Sequence, residues 1–351
     1  MWVEQSLLSR HTRPRQLFIP ALCVLTVFVA LIGLQSGAID LSWSQLFSVF
    51  INSDHTSLAD AVIWQIRLPR LVLCVLVGAG LGACGAAMQA IFRNPLADPS
   101  LIGVSGGAAL GAVSMIVLGS SLFTDFSEVL AIYAVPVGAF IGALIVCSFI
   151  YRLSSHGGEF TIVSLLLAGI AVNAIVESLI GFLTLISTDQ QLRDLTFWSM
   201  GSLAGNSWKM IFPVAVIIVL SCCVLLKSSQ ALNLYLLGEH QARHLGLDVV
   251  KLKKQVFLCT ALCLGAAVSI TGVIGFVGFI VPHLVRLLIG PDHRYLMPAS
   301  MLLGAILLSV ADLFARTLIL PAELPIGLLT SAIGGPFFLI MLFKTFGSQR
   351  G

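Results

Sequence analysis

The chain has 351 residues, of which 58% are hydrophobic and only 10% charged, and its mean hydropathy is +1.02. A soluble domain carries roughly 25% charged residues, so the composition excludes a soluble globular protein and gives no basis for a nucleic-acid partner. Its apolar runs are long and continuous rather than short and alternating, which excludes a β-barrel and leaves an all-α polytopic membrane protein. The net charge of +3 matters less than where the charges fall.

Ten apolar segments follow one another, at 17–36, 69–92, 100–119, 129–151, 160–186, 208–226, 254–276, 278–289, 295–317 and 325–345. They form a single transmembrane domain over residues 1–351. The first follows Arg10, Arg13 and Arg15 and is longer than the roughly 7–15 apolar residues of a signal peptide, so it reads as an uncleaved span. The eighth is too short for a full crossing and follows a bend at Gly272, Gly275 and Gly278.

Between the second and third segments the sequence reads Asn94-Pro95-Leu96-Ala97-Asp98-Pro99. Each proline lacks a backbone donor and disfavours helix in the residue before it, so the helix must stop here. In lipid such a break is tolerated only against other helices or along a watery path. Gly78 and Gly82 lie before it, and Gly103, Gly107 and Gly111 after it, each four residues from the next. This is the spacing that lets two membrane helices approach closely.

An even number of spans places both termini on one side. Of the 19 Lys and Arg residues, 14 then lie at ends predicted to be cytoplasmic, and Arg67, Arg70, Arg193, Lys209 and Arg316 lie at the outer ends. The positive-inside rule therefore predicts a multi-pass protein with both termini in the cytoplasm. The outer segment 187–207 predicts a short interfacial helix with Leu192, Leu195 and Trp198 toward lipid. The inner segment 227–254 is the largest polar island. Its stretch 238–246, Gly-Glu-His-Gln-Ala-Arg-His-Leu-Gly, predicts a short helix between two glycine stops. Such a helix is not needed to fold a membrane domain and suggests a cytoplasmic partner.

The six lysines, Lys209, Lys227, Lys251, Lys253, Lys254 and Lys344, never follow Gly, so the chain contains no P-loop and any ATP chemistry belongs to another chain. His240 and His244 share one helix face at metal-ligand spacing but lack a third ligand. His11, His55, His156, His283 and His293 are scattered, and no metal or cofactor site is expected. The eight cysteines sit inside apolar runs and read as small apolar residues. Glu177, in the middle of the fifth span, either faces a polar path or bonds to a neighbouring helix. Asp312 and Arg316 are spaced for an ion pair within one helix. Arg67, Arg70 and Arg316 either snorkel to lipid phosphate or form a docking patch for acidic residues of an outside partner.

Six motifs occur in order: Arg67-Leu68-Pro69-Arg70, Asn94 through Pro99, Leu166-Leu167-Ala168-Gly169, Gly238 through Gly246, Gly275-Phe276-Val277-Gly278 with Pro282-His283-x-x-Arg286, and Glu323-Leu324-Pro325-Ile326-Gly327. Together the motifs resemble the FecCD family of bacterial ABC importer permeases, which take up ferric siderophores, heme and cobalamin. The resemblance implies a type II ABC importer architecture with ten spans, in the inner membrane. It further implies a homodimer around a central path, two ATPase subunits that carry ATP and Mg, and a periplasmic substrate-binding protein.

By the same resemblance, Arg67, Arg70 and Arg316 contact glutamates of that binding protein. Gly238, Glu239, His240, Ala242, Arg243, Leu245 and Gly246 couple to the ATPase. Asn94 and Leu96, with Thr161 and Ile162 in the segment through Ser164, narrow the path at its cytoplasmic end. The stretch 192–203 with 94–111 looks most similar to hemin permeases, with siderophore or cobalamin import as alternatives. An ion-coupled secondary transporter using Glu177 is the reading from a different class.

Overall fold

The structure, a computed structural model, describes residues 2–37, 41–51, 58–122, 128–156 and 159–347. His55 and Arg350 lie outside the described residues. The chain opens with α1 (Trp2–Gln35), the short α2 (Trp43–Ile51) and α3 (Leu58–Ala61). A π-helical stretch, Val62–Arg67, runs straight into α4 (Leu68–Ile91). After the proline break come α5 (Val104–Leu122) and α6 (Glu128–Ser154). A two-residue antiparallel pair, β1 (Ser155–His156) and β2 (Glu159–Phe160), leads to α7 (Ile162–Leu185) and α8 (Asp189–Met200). Then follow α9 (Trp208–Lys227), α10 (Ser229–Leu236), α11 (Glu239–His244), α12 (Val249–Thr271), α13 (Val277–Ile289), α14 (His293–Ala315) and α15 (Ile326–Gly347).

Every expected apolar segment is a helix. Seven are long and apolar enough to cross a membrane, and Val104–Gly119, Val277–Ile289 and Ile326–Ile340 are shorter apolar helices. The 13 residues of α13 extend about 20 Å, short of a hydrocarbon core about 30 Å thick. The chain reaches α13 through a turn in which Gly272 and Phe276 take φ of +67° and +66°.

Burial separates inner from outer helices. In their most apolar stretches α4 and α12 are 72% buried, whereas α1 is 17% and α7 22% buried. The inner position of α4 follows from its glycines. A Cβ at Gly78 would overlap the Gly304 carbonyl of α14, one at Gly82 the Ser300 carbonyl, and one at Gly85 the Gly278 carbonyl of α13. A second seam joins α5 to α6, where a Cβ at Gly107 would stand 2.6 Å from the Gly142 carbonyl oxygen and one at Gly111 would overlap that of Gly138. Without a hydrophobic drive between helices in lipid, backbone approach of this kind supplies the van der Waals contact that holds them. Gly103 lies on the same seam, where a Cβ would meet Ile150 and Val146 of α6, although at φ +86° it ends a 3-10 turn before α5 begins.

These seams give a direct prediction. Gly82→Ala and Gly111→Ala each force backbone apart, and overpacking of a tight core costs about 1–3 kcal/mol. Both variants are expected to melt earlier in detergent, while Gly205→Ala, with open space around it, reports only the strain of a residue at φ +76°.

The interfacial helix forms as α8, opened by a capping box between Thr188 and Gln191. Its phase differs from expectation. The Gln191 side-chain amide donates to the carbonyls of Ile116 and Val117 in α5 at 3.1 and 3.2 Å. That bond turns the i, i+4, i+7 row of Gln191, Leu195 and Trp198 inward. Trp198 packs on the core, and Phe197, 65% exposed, is the outward aromatic together with Leu192.

Candidate functional site

The two ends of the bundle carry different chemistry. Arg93, Lys253, Arg286 and Arg294 lie at one, called here the basic end. Arg67, Arg70 and Arg316 lie at the other.

At that other end the three predicted arginines come together. Arg67 closes the π-helical stretch, Arg70 stands in the first turn of α4, and Arg316 follows α14. All three are buried within the chain, as is Asp312. The Arg70 Nε donates to Asp312 Oδ1 at 2.8 Å, and its Nη1 donates to both Glu323 carboxylate oxygens at 2.9 and 2.8 Å. The expected pair within α14 is present at 3.5 Å between Arg316 Nε and Asp312 Oδ2, but Arg70 is the closer partner of Asp312. Arg316 Nη2 also donates to the Gly33 carbonyl, and Arg67 Nη1 to those of Leu34 and Gln35 at 2.6 and 2.5 Å. The arginines therefore fasten α1, α4 and α14 to one another instead of reaching outward to lipid. Only about 10 Å³ of space remains among them, about one water. Glu323, in the loop before α15, is the half-exposed member.

At the basic end α4 stops as the prolines require. Arg93 takes φ +49°, and the Asn94 Oδ1 accepts the Leu96 amide at 2.9 Å. Asp98 then caps the 3-10 turn Pro99–Ile102 by accepting the Ser100 amide at 2.7 Å. The break lies against other helices. A Cβ at Gly169 of α7 would sit 2.8 Å from the Leu101 carbonyl, and one at Gly278 of α13 would sit 2.9 Å from Pro99. Beside it Arg286 Nη1 donates to Gln89 Oε1 at 2.9 Å, and Gln89 Nε2 donates to the Phe279 carbonyl at 3.0 Å. Asn94 is exposed and Leu96 half-buried. Thr161 caps α7 by accepting the Ser164 amide at 3.2 Å, with Ile162 as the first helical residue. The Leu101–Gly169 approach and the Ser164 hydroxyl, which donates to the Ser154 carbonyl at 3.0 Å, bring the start of α7 to the same end as the break.

The polar island folds as its sequence predicts. Gly238 at φ +127° and Gly246 at φ +85° bracket α11. Ala242 is its buried anchor, while His240, Arg243, His244 and Leu245 face outward beside the exposed Leu236 and Leu237. Glu239 accepts from Lys253 Nζ at 2.9 and 3.1 Å and from Arg243 Nη2 at 3.2 Å. Burial pushes the Glu239 carboxyl up, and the two cations outweigh it and hold the group below its ordinary range. His240 and His244 stand 3.0 Å apart at their Nε2 atoms. Among the described residues no group of three or more His, Cys, Asp or Glu is placed to hold a metal. Glu177 is on the exposed flank of α7 among Ile170, Ile175 and Phe182.

Three contacts at these two ends are not readable from the sequence. Tyr235 is fully buried beneath Arg93, whose guanidinium carbon lies 4.4 Å from the ring centroid. Lys253 reads as one of the three lysines of Lys251-Leu252-Lys253-Lys254 but is the one turned inward to Glu239. Glu323 reads only as the start of a motif. A lone Tyr inside a polar island was the available signal for the first; the other two pairings join residues far apart or on different elements.

The described residues thus form a helical membrane bundle with a polar helix break and a short helix displayed at one end, and the sequence holds no nucleotide-binding loop. The chain belongs to the FecCD transport family, whose model matches residues 25–344. It is similar to the hemin transport system permease protein HmuU of Yersinia pestis, at 45% identity over 98% of this chain and 100% of that one. It is also similar to the cobalamin import system permease protein BtuC of Halobacterium salinarum, at 41% identity over 81% of this chain and 74% of that one. A solved metal-chelate type ABC transporter in an inward-facing conformation matches with a TM-score of 0.79 and 34% identity, covering 93% of this chain and 98% of that one. This is the permease subunit of an ABC importer; it is not itself an enzyme, and ATP hydrolysis resides in a separate chain. The ion-coupled alternative is set aside.

Proposed function

We propose that the chain imports heme into the cytoplasm of a bacterium by alternating access, as a homodimer in the inner membrane. The full-length similarity to a hemin permease carries this reading. In it the basic end and both termini are cytoplasmic, in keeping with the charge distribution. Two ATPase subunits, which hold the ATP and Mg, dock on the two copies of α11. This chain binds no cofactor of its own. A periplasmic binding protein docks at the opposite end, where its glutamates meet Arg67, Arg70 and Arg316. Because Glu323 already neutralises Arg70, an incoming glutamate takes over that contact.

The exposed apolar flank of α7, with Glu177, faces the second copy and the path between them. Asn94, Leu96, Thr161 and Ile162 narrow that path at the cytoplasmic end. Substrate passes without covalent chemistry, so the chain needs only to present alternate openings while the ATPase supplies the free energy.

Assembly tests this reading. The purified permease is expected to hold its ATPase in a 2:2 complex, and hemin-loaded binding protein is expected to raise the rate of ATP hydrolysis. A complex whose hydrolysis responds to a loaded cobalamin-binding or siderophore-binding protein, and not to the hemin-loaded one, would transfer the substrate to that class.

A further inference from the structure

We propose that Glu239, Lys253, Tyr235 and Arg93 form the physical link by which movement of α11 reaches the Asn94–Leu96 constriction. The inference rests on the reading that α11 receives the ATPase and that Asn94 and Leu96 narrow the path.

The contacts are continuous. Glu239 opens α11 and holds the Lys253 ammonium, itself buried, through two hydrogen bonds at 2.9 and 3.1 Å. A shift of α11 therefore acts on the base of α12. The same ammonium lies 5.8 Å from the centroid of the Tyr235 ring. Tyr235 belongs to α10, one turn before Gly238, and is 1% exposed. It grips the end of α4 in three ways. Its hydroxyl donates to the Ile91 carbonyl at 3.4 Å, its own carbonyl accepts from Arg93 Nη2 at 2.9 Å, and its ring lies under the Arg93 guanidinium. Arg93 is followed directly by Asn94, whose side chain fixes Leu96.

Arg93 itself is the most informative member. Its φ of +49° is a conformation that Gly adopts most readily and that an ordinary side chain adopts at a cost. A residue whose only task was to end α4 is better as Gly. The side chain at this position is instead engaged on Tyr235, so the strained turn and the α10–α11 segment are joined at one residue. Energetic coupling between elements is carried by chains of packed side chains, hydrogen bonds and ion pairs, and these four residues form one such chain. They are positioning residues, since none of them contacts the substrate in this account.

The test uses the assembled permease, ATPase and binding protein in proteoliposomes with hemin as the probe. Arg93→Gly keeps the turn and removes the link at α4. Lys253→Met keeps the apolar stem and removes the ammonium at α12. Both variants are expected to retain the ATPase and hydrolyse ATP, yet to move about tenfold less hemin per ATP. Arg93→Lys, which keeps a cation over the ring, is expected to recover most of the loss. Wild-type hemin movement per ATP in both variants would overturn the link.

A second measurement needs no variant and no substrate. Hydrogen exchange of the wild-type complex with and without an ATP analogue is expected to change together in residues 229–244 and 92–103. A change confined to 229–244 overturns the link even if every variant fails to assemble. Wild-type complexes that hydrolyse ATP without moving hemin would count against heme, and the exchange measurement still decides the link. An ATPase that does not bind the wild-type chain overturns the reading of α11 and the link with it.

Discussion

Replacing Asp312 with Ala is expected to destabilise the protein by about 3–5 kcal/mol, the cost of leaving a buried charge without its partner. Asp312 is 4% exposed and is shared by Arg70 and Arg316. Its loss takes a carboxylate from both Arg70 and Arg316, two buried guanidiniums, and leaves Arg70 with Glu323. The seam between these helices, where Gly78 meets Gly304, lies directly below and opens with it. Thermal melting in detergent measures the effect. Glu323→Gln is the comparison: its side chain is 44% exposed and its partner Arg70 keeps Asp312, so its cost is expected to be smaller. Equal melting of the Asp312 variant and the wild type would show that the cluster is not what fastens this end.

Leu245→Asp should have the opposite character, leaving the fold intact while weakening the hold on the ATPase. Leu245 is 61% exposed at the end of α11, and Leu237, just before α11, is 62% exposed. Burying a leucine side chain contributes about 1.5–3 kcal/mol, and each 1.4 kcal/mol is tenfold in affinity, so ATPase affinity should fall by about 10- to 100-fold. Titrating the ATPase onto the permease in nanodiscs measures it, with unchanged melting of the permease alone as the companion result. Wild-type affinity would move the docking surface away from α11.

The contrast between these two sites shows what the sequence makes legible. The spans, the break at Asn94–Pro99 and the helix at 239–244 are visible because their causes are local: apolar runs, prolines without donors, and glycines that stop a helix. The partners of the glycines are not visible. Gly78 and Gly82 announce a close approach, but only the fold says that Gly304 and Ser300 are across from them. The arginine cluster behaves likewise. Its members stand out as charges at the wrong end of a positive-inside pattern, whereas the inward orientation of Arg70 depends on Asp312 and Glu323, over two hundred residues away in the chain, and that of Arg67 and Arg316 on carbonyls at the end of α1.

Trp198 shows the opposite error. Its aromatic character suggests lipid, but with Gln191 bonded to α5 the same face of α8 sets Trp198, half-buried, against the core. Tyr235 and Lys253 were hidden for a third reason: a polar island gives no periodicity from which to read which polar residue is buried.

ATP-dependent accumulation in proteoliposomes is the most direct test of heme import by this permease. The wild-type permease, with its ATPase and binding protein, would be offered hemin, a ferric siderophore and cobalamin in parallel. Hemin is expected to accumulate inside only when ATP is present on the ATPase side, and Leu245→Asp is expected to lower that accumulation when the ATPase is limiting. Accumulation of cobalamin or a siderophore without hemin would contradict the substrate, and hemin uptake independent of ATP would contradict the mechanism.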